Sequence, residues 1–166
     1  MTLLLTALAC TTDDAEDFAG GDFQITTTAV DDGCYDGAIN TVFLPDGDDS
    51  TNDWANPTYL PGWDELPATY TIALQDPFSD MEVTMVDGGA QNLVVDGASQ
   101  TAVELDADQY PGCTADMSIY VDITVVSAGE ISATATLTTS NTQGDTCPTI
   151  TSDPCDITLD LVGARL

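Results

Sequence analysis

The segment Asp46–Asp53 gathers five residues with hard oxygen donors: Asp46, Asp48, Asp49, Asn52 and Asp53. Closely spaced carboxylates beside a glycine are the ligand type that Ca2+ takes into a flexible oxygen shell. The full EF-hand spacing and its closing Glu are missing, so calcium is the one cofactor this loop offers, and no other is expected. The same connection, Pro45 to Leu66, carries Trp54, Tyr59 and Trp63. Exposed, these rings would make a platform for a sugar or a peptide. The plainer reading is a solvated acidic loop whose aromatics pack back on the domain. Long structureless connections are usually functional or disordered, which keeps attention on this one.

Cysteines are the second reactive set. Cys34, Cys113, Cys147 and Cys155 lie in the body of the chain, with no C-x-x-C spacing to indicate redox or soft-metal chemistry. An even number in an exported domain predicts two disulfides, and four cysteines allow three connectivities. Cys147 and Cys155 flank the turn-rich run Pro148 to Pro154, which favours a local bridge and leaves Cys34 for Cys113. Loop entropy then makes the long bridge worth roughly 4–5 kcal/mol and the short one about 2–3 kcal/mol.

Composition narrows the rest. The chain of 166 residues holds one Lys or Arg, 29 Asp or Glu and no His, for a formal charge of −28. Without basic residues to displace counterions, nucleic acid and anionic lipid surfaces are excluded as partners. Without His or Lys there is no imidazole base, no Ser-His-Asp triad and no Schiff-base lysine. A glycosidase with two carboxylates is chemically open, yet nothing marks out a pair, so no catalytic residue is assigned and a non-enzymatic protein is expected. Self-repulsion on this scale calls for screening by salt or divalent ions, which predicts a salty habitat.

The N-terminus sets the compartment. Leu3 to Ala9 is apolar but far shorter than the roughly 20 residues that cross a bilayer. It reads as the apolar core of a secretory signal peptide over residues 1–9. No Lys or Arg precedes it, which predicts a true start further upstream. Ala7-Leu8-Ala9-Cys10 resembles the lipobox of bacterial lipoproteins, with Ala7 where Leu is commonest. That resemblance implies cleavage before Cys10 and a diacylglyceryl group on its sulfur. Residue 11 is Thr rather than Asp, which by the same resemblance implies the outer membrane. Residues 10–21, acidic and ending in two glycines, read as a lipidated cysteine and a flexible tether. An acidic tether, a β-domain, late paired cysteines and the ending Gly163-Ala164-Arg165 complete a style similar to small acidic outer-membrane lipoproteins of environmental Gram-negative bacteria, myxobacteria among them.

From residue 22 to 166 the pattern is period 2 throughout, with no convincing helical period. Strands are predicted at Asp22 to Val30 (Phe23, Ile25, Thr27 and Ala29 on one face), near Ala38 to Leu44, and at Ala68 to Gln75. More follow at Met81 to Val86, Asn92 to Val95 and Thr101 to Leu105, separated by turns at Asp76-Pro77, Asp87-Gly88-Gly89 and Asp96-Gly97. The clearest signal is a hairpin. Met117, Ile119, Val121, Ile123 and Val125 alternate with polar residues up to a turn at Ser127–Glu130, and Ile131, Ala133, Ala135 and Leu137 alternate beyond it. A last strand, Asp156 to Gly163, turns Ile157, Leu159 and Leu161 inward.

Eight or nine strands joined by hairpins predict an all-β fold, an antiparallel up-and-down barrel or meander, lipocalin-like in architecture. A Greek-key β-sandwich is the alternative. A membrane-spanning barrel is disfavoured, because the outward face carries Asp122, Asp160 and many threonines.

Three functions follow as expectations. The first is a cell-envelope lipoprotein, anchored in the membrane by lipid, with a structural or binding role toward an unspecified protein or carbohydrate. The second is an apolar-ligand carrier whose pocket Phe23, Tyr70, Met81, Met85 and Met117 would line. The third is a calcium-dependent adhesion module built on Asp46 to Asp53.

Overall fold

Among the described residues alternation becomes eight strands: β1 (Gly20–Asp32), β2 (Thr58–Pro61), β3 (Ala68–Ile72), β4 (Met81–Gly89), β5 (Asn92–Glu104), β6 (Thr114–Ser127), β7 (Glu130–Gln143) and β8 (Cys155–Arg165). The computed structural model describes residues 17–34, 58–72, 81–105, 108 and 110–166, apart from the side chains of Thr71, Ile72 and Met81. The expected strand near Ala38 to Leu44 and the Asp76-Pro77 turn lie outside these residues.

The described strands form one antiparallel sheet in the order β2-β1-β8-β7-β6-β5-β4-β3, a nearly closed barrel with up-and-down connectivity. The Greek-key alternative is thereby set aside. The first strand closes on the last through a ladder from Phe23↔Arg165 to Asp32↔Ile157. The sheet edges β2 and β3 are consecutive in the chain, so the seam falls within a local connection. Pairing the chain ends with each other removes the edges most exposed to aggregation.

Inward positions are those that the alternation marks. Met117, Ile119, Val121, Ile123 and Val125 of β6, Ile131, Ala133, Ala135 and Leu137 of β7, and Ile157, Leu159 and Leu161 of β8 all enter one buried cluster. Phe23, Met85 and Met117, three of the residues expected to line a carrier pocket, are packed within that cluster. An eight-stranded barrel is narrow enough for side chains to fill. Gly163 belongs to this packing: a Cβ there would come within 2.5 Å of Ile131 Cγ1.

Four local readings are corrected. Asp96-Gly97 is no hairpin turn, since β5 runs through it as a bulge opposite Tyr120, with a register shift between Val95 and Ala98. The Asp-Gly signal marks a bulge as readily as a turn, and only the partner strand decides. The neighbouring reversal falls at Ala90–Gln91, beyond Asp87-Gly88-Gly89, with φ of 51° and 69° as a type I′ turn requires. Ala29 faces outward because Thr28 is an extra residue in β1, where the register shifts between Thr27 and Ala29. The connection from Pro45 to Leu66 is not structureless in its described part, which holds β2 and a 3-10 turn at Trp63–Glu65.

The expected tether also ends earlier than Gly21. Phe18 is buried, with its ring 5.7 Å from Phe23 and 5.8 Å from Trp63. Its carbonyl accepts the Trp63 N–H at 3.4 Å. Gly20, at φ +70°, lies so close to Gly62 that a Cβ would collide with the Gly62 nitrogen. Apolar contact thus draws the Gly-Gly pair into the barrel as the start of β1.

The disulfides are Cys34–Cys155 and Cys113–Cys147, in place of the expected Cys147–Cys155 and Cys34–Cys113. The physical reason is register. In the β1–β8 ladder Asp31 faces Thr158 and Asp32 faces Ile157, and continuing it outward brings Cys34 opposite Cys155. The Gly33 N–H donates to the Asp156 carbonyl at 2.9 Å and holds that continuation. Cys113 meets Cys147 where the chain leaving β7 folds back over Gly112 and Cys113. Both bridges lie at one end of the barrel. The tight turns Ala90–Gln91 and Ala128–Gly129, the start of β1 and the C-terminus lie at the other.

Candidate binding groove

The outward face of β5, β6 and β7 forms an open groove of about 380 Å³. Three cross-strand rows build it. Asn92, Thr124 and Ser132 are register partners in the first row, and Val94, Asp122 and Thr134 in the second. The Asp96-Gly97 bulge faces Tyr120 and Thr136 in the third. Alternation puts Tyr120, Asp122 and Thr124 on one face of β6, with Ser132, Thr134 and Thr136 beside them on β7. The bulge interrupts the ladder beside Tyr120, a place where strands often change the direction of a side chain.

The groove's polar groups are unevenly satisfied. The Thr124 hydroxyl donates to Asn92 Oδ1 at 3.3 Å, and the Thr134 hydroxyl donates to Asp160 Oδ1 of β8 at 3.5 Å. Asp122 Oδ1 is buried and meets no hydrogen-bond donor. Buried polar atoms are paired in the large majority of cases, so an unpaired carboxylate oxygen marks unmet demand for a donor. Beside it the Tyr120 ring is 51% exposed. The lining holds no basic residue and one carboxylate. Periodicity placed the β6 and β7 side chains of the groove outward, but their meeting with Asn92 of β5 depends on strand register and gives no sequence signal of its own.

The residues expected from sequence distribute as follows. Cys10, Asp46, Asp48, Asp49, Asn52, Asp53 and Trp54 lie outside the described residues. Among the described residues no group of three or more Cys, Asp or Glu is arranged to hold a metal ion. Asp32, a residue outside that expected set, holds the turn before Cys34, its Oδ1 accepting the Cys34 N–H at 2.9 Å. Trp63 is half-buried on Phe18. Tyr59 is exposed, with its hydroxyl donating to Glu65 Oε2 at 3.1 Å and its ring 6.0 Å from Tyr70. The Glu65 hydrogen bond raises the Tyr59 pKa, and burial, helped by the Glu65 charge, raises that of Tyr70. The two expected platform residues in view therefore sit at the barrel seam, away from the groove.

The two disulfides mark the domain as extracytoplasmic, because thiols in reducing compartments stay free. No described helix is long and apolar enough to cross a membrane. Compared with protein-family models, with curated proteins and with solved structures, the chain matches none.

Proposed function

We propose that this chain is a lipid-anchored protein of the outer membrane, non-enzymatic, which presents a disulfide-stapled barrel at the cell surface and acts by binding. The observation that carries the reading is the pair of disulfides in a chain whose Ala7-Leu8-Ala9-Cys10 resembles a lipobox. The partner side is supported by the groove: its single carboxylate, with no imidazole or amine anywhere in the chain, fits recognition better than proton transfer. The inward packing of Phe23, Met85 and Met117 favours an outer surface over an interior pocket as the place of binding.

The test is to express the full chain in a Gram-negative host fed an alkyne-bearing fatty acid. The expected result is label on the protein and recovery in the membrane fraction, with Cys10→Ala abolishing both. Unlabelled protein that retains Cys10, or a Cys10→Ala variant that still fractionates with membranes, would overturn the anchor.

A further inference from the structure

We propose that the barrel sits end-on against its membrane, with the rim that carries Tyr59, Val126, Val162, Arg165 and Leu166 seated in zwitterionic lipid headgroups and the disulfide end turned away. The proposal rests on the lipid anchor given above and adds where the barrel meets the bilayer.

Exposed apolar side chains are unevenly placed. Among the described residues the large ones are Tyr59, Tyr120, Val126, Val162 and Leu166, the last 71% exposed. Tyr120 lies at mid-barrel, and the other four gather near the end where β1 starts and β8 finishes. Tyr59 is the register partner of Asp22, whose carbonyl accepts the Leu166 N–H at 2.9 Å. Val162 faces Ser132, and Val126 precedes the Ser127–Glu130 turn. Val162 stands four residues behind Leu166, about 13 Å of strand and less along a tilted barrel axis, close to the roughly 5–10 Å that interfacial segments sink. Spread round one end of a barrel, these side chains can meet a plane together. Tyr59 adds the amphipathic ring that favours a membrane interface. At the disulfide end the exposed side chains include Asp31, Glu104, Asp145, Asp153 and Asp156, and no large apolar one among the described residues.

Charge selects the lipid. The one cation of the chain, Arg165, belongs to this rim and lies over Gly21, where a Cβ would come within 3.2 Å of its Nε. Its Nη1 donates to the Ala128 carbonyl at 3.5 Å, which leaves a fork of N–H groups for a headgroup phosphate. Asp17, Asp22, Asp64, Glu65, Asp87 and Glu130 are exposed at the same end and would be repelled by a net negative lipid surface.

The tether decides which end faces the membrane. Phe18 is fixed in the core at this end, so eight residue steps separate it from Cys10, a reach of about 28 Å at full extension. β6, with 14 residues, runs about 46 Å, or about 35 Å along the axis once tilted. A lipid on Cys10 therefore cannot bring the disulfide end down to the bilayer.

The experiment is NMR on the full chain, recovered with its lipid and placed in phosphatidylcholine nanodiscs, with a soluble gadolinium chelate added. Methyl signals of Ala102 and Thr149, both exposed at the disulfide end, should be lost to the chelate, while those of Val126, Val162 and Leu166 persist. The Cys10→Ala chain, free in solution, should lose all five. Val126→Asp combined with Leu166→Asp should open Val162 to the chelate with the lipid retained, and Tyr120→Asp should not. Far-UV circular dichroism checks that each variant is folded, and Leu166→Asp alone serves should the double variant not fold. Discs of phosphatidylglycerol should uncover the rim, and added salt should cover it again. A lipidated chain whose rim methyls are lost with Ala102 and Thr149 overturns the seat and leaves the anchor standing, whereas a chain without lipid overturns both. Rim protection in lipid-free solution that rises with protein concentration would give the face to a second copy and overturn the proposal. Firmer protection on phosphatidylglycerol would refute the choice of zwitterionic lipid.

Discussion

Tyr59 and Tyr70 bring their rings to 6.0 Å across the seam between β2 and β3, where the hydrogen-bonded order of the sheet begins and ends. Glu65, in the 3-10 turn joining these strands, ties the seam further by accepting the Tyr59 hydroxyl and the Gly62 N–H, both at 3.1 Å. Side chains thus do at the seam what backbone ladders do elsewhere.

That arrangement has a pH signature. Both phenols have folded pKa values above the ordinary 10.0, so folding favours their protonated forms. Their contribution is complete below pH 10 and is lost as pH rises through the raised folded values. Phenolate absorbance should show two tyrosines titrating late in the folded protein. Glu65→Gln should bring both down, and an unchanged titration would show that Glu65 does not govern the seam.

Phe18 should behave as a core residue, although it lies in a stretch that reads as tether. At 2% exposure and in contact with Phe23 and Trp63, its replacement by Ala should cost about 3 kcal/mol or more in urea unfolding. A cost near zero would return residues 17–19 to the tether.

The bridges rank by the loops they close. Cys34–Cys155 spans 121 residues and Cys113–Cys147 spans 34. Replacing the first pair by Ser should cost about 5 kcal/mol and the second about 4 kcal/mol. Peptide mapping without reduction should recover Cys34 joined to Cys155, and a Cys147–Cys155 peptide would refute the register argument.

Asp153 holds a bulge in β7. Its two carboxylate oxygens accept the N–H groups of Asn141 at 2.9 Å and Thr142 at 3.0 Å, where Asn141 has φ of 52°. Asp153→Ala should speed amide exchange at both positions and cost about 1–3 kcal/mol. Protection that persists in the variant would mean that the bulge stands without the carboxylate.

Thr139 offers a gain. It is 1% exposed, faces inward opposite Cys155, and its hydroxyl has no hydrogen-bond partner. Val fills nearly the same volume without a polar atom, so Thr139→Val should stabilise the fold by about 1 kcal/mol. A loss of stability would show that the hydroxyl is satisfied in solution.

Alternation by itself determined most of the strands and, away from the bulges, their buried faces, because period 2 is a local property that survives any arrangement of neighbours. β6, β7 and β8 were legible for that reason, and so was the barrel class. Charge and the absence of His likewise closed off whole classes of chemistry before any geometry was known. Tertiary structure alone decided what depends on distant neighbours. Asp96-Gly97 became a bulge only against Tyr120, and Phe18 became core only against Trp63. Cys34 found Cys155, rather than the cysteines nearer in sequence to either, because the first and last strands pair. The groove belongs with these. Tyr120 and Asp122 are outward neighbours along β6, and only the pairing of β5 with β6 and of β6 with β7 brings Asn92, Ser132, Thr134 and Thr136 beside them.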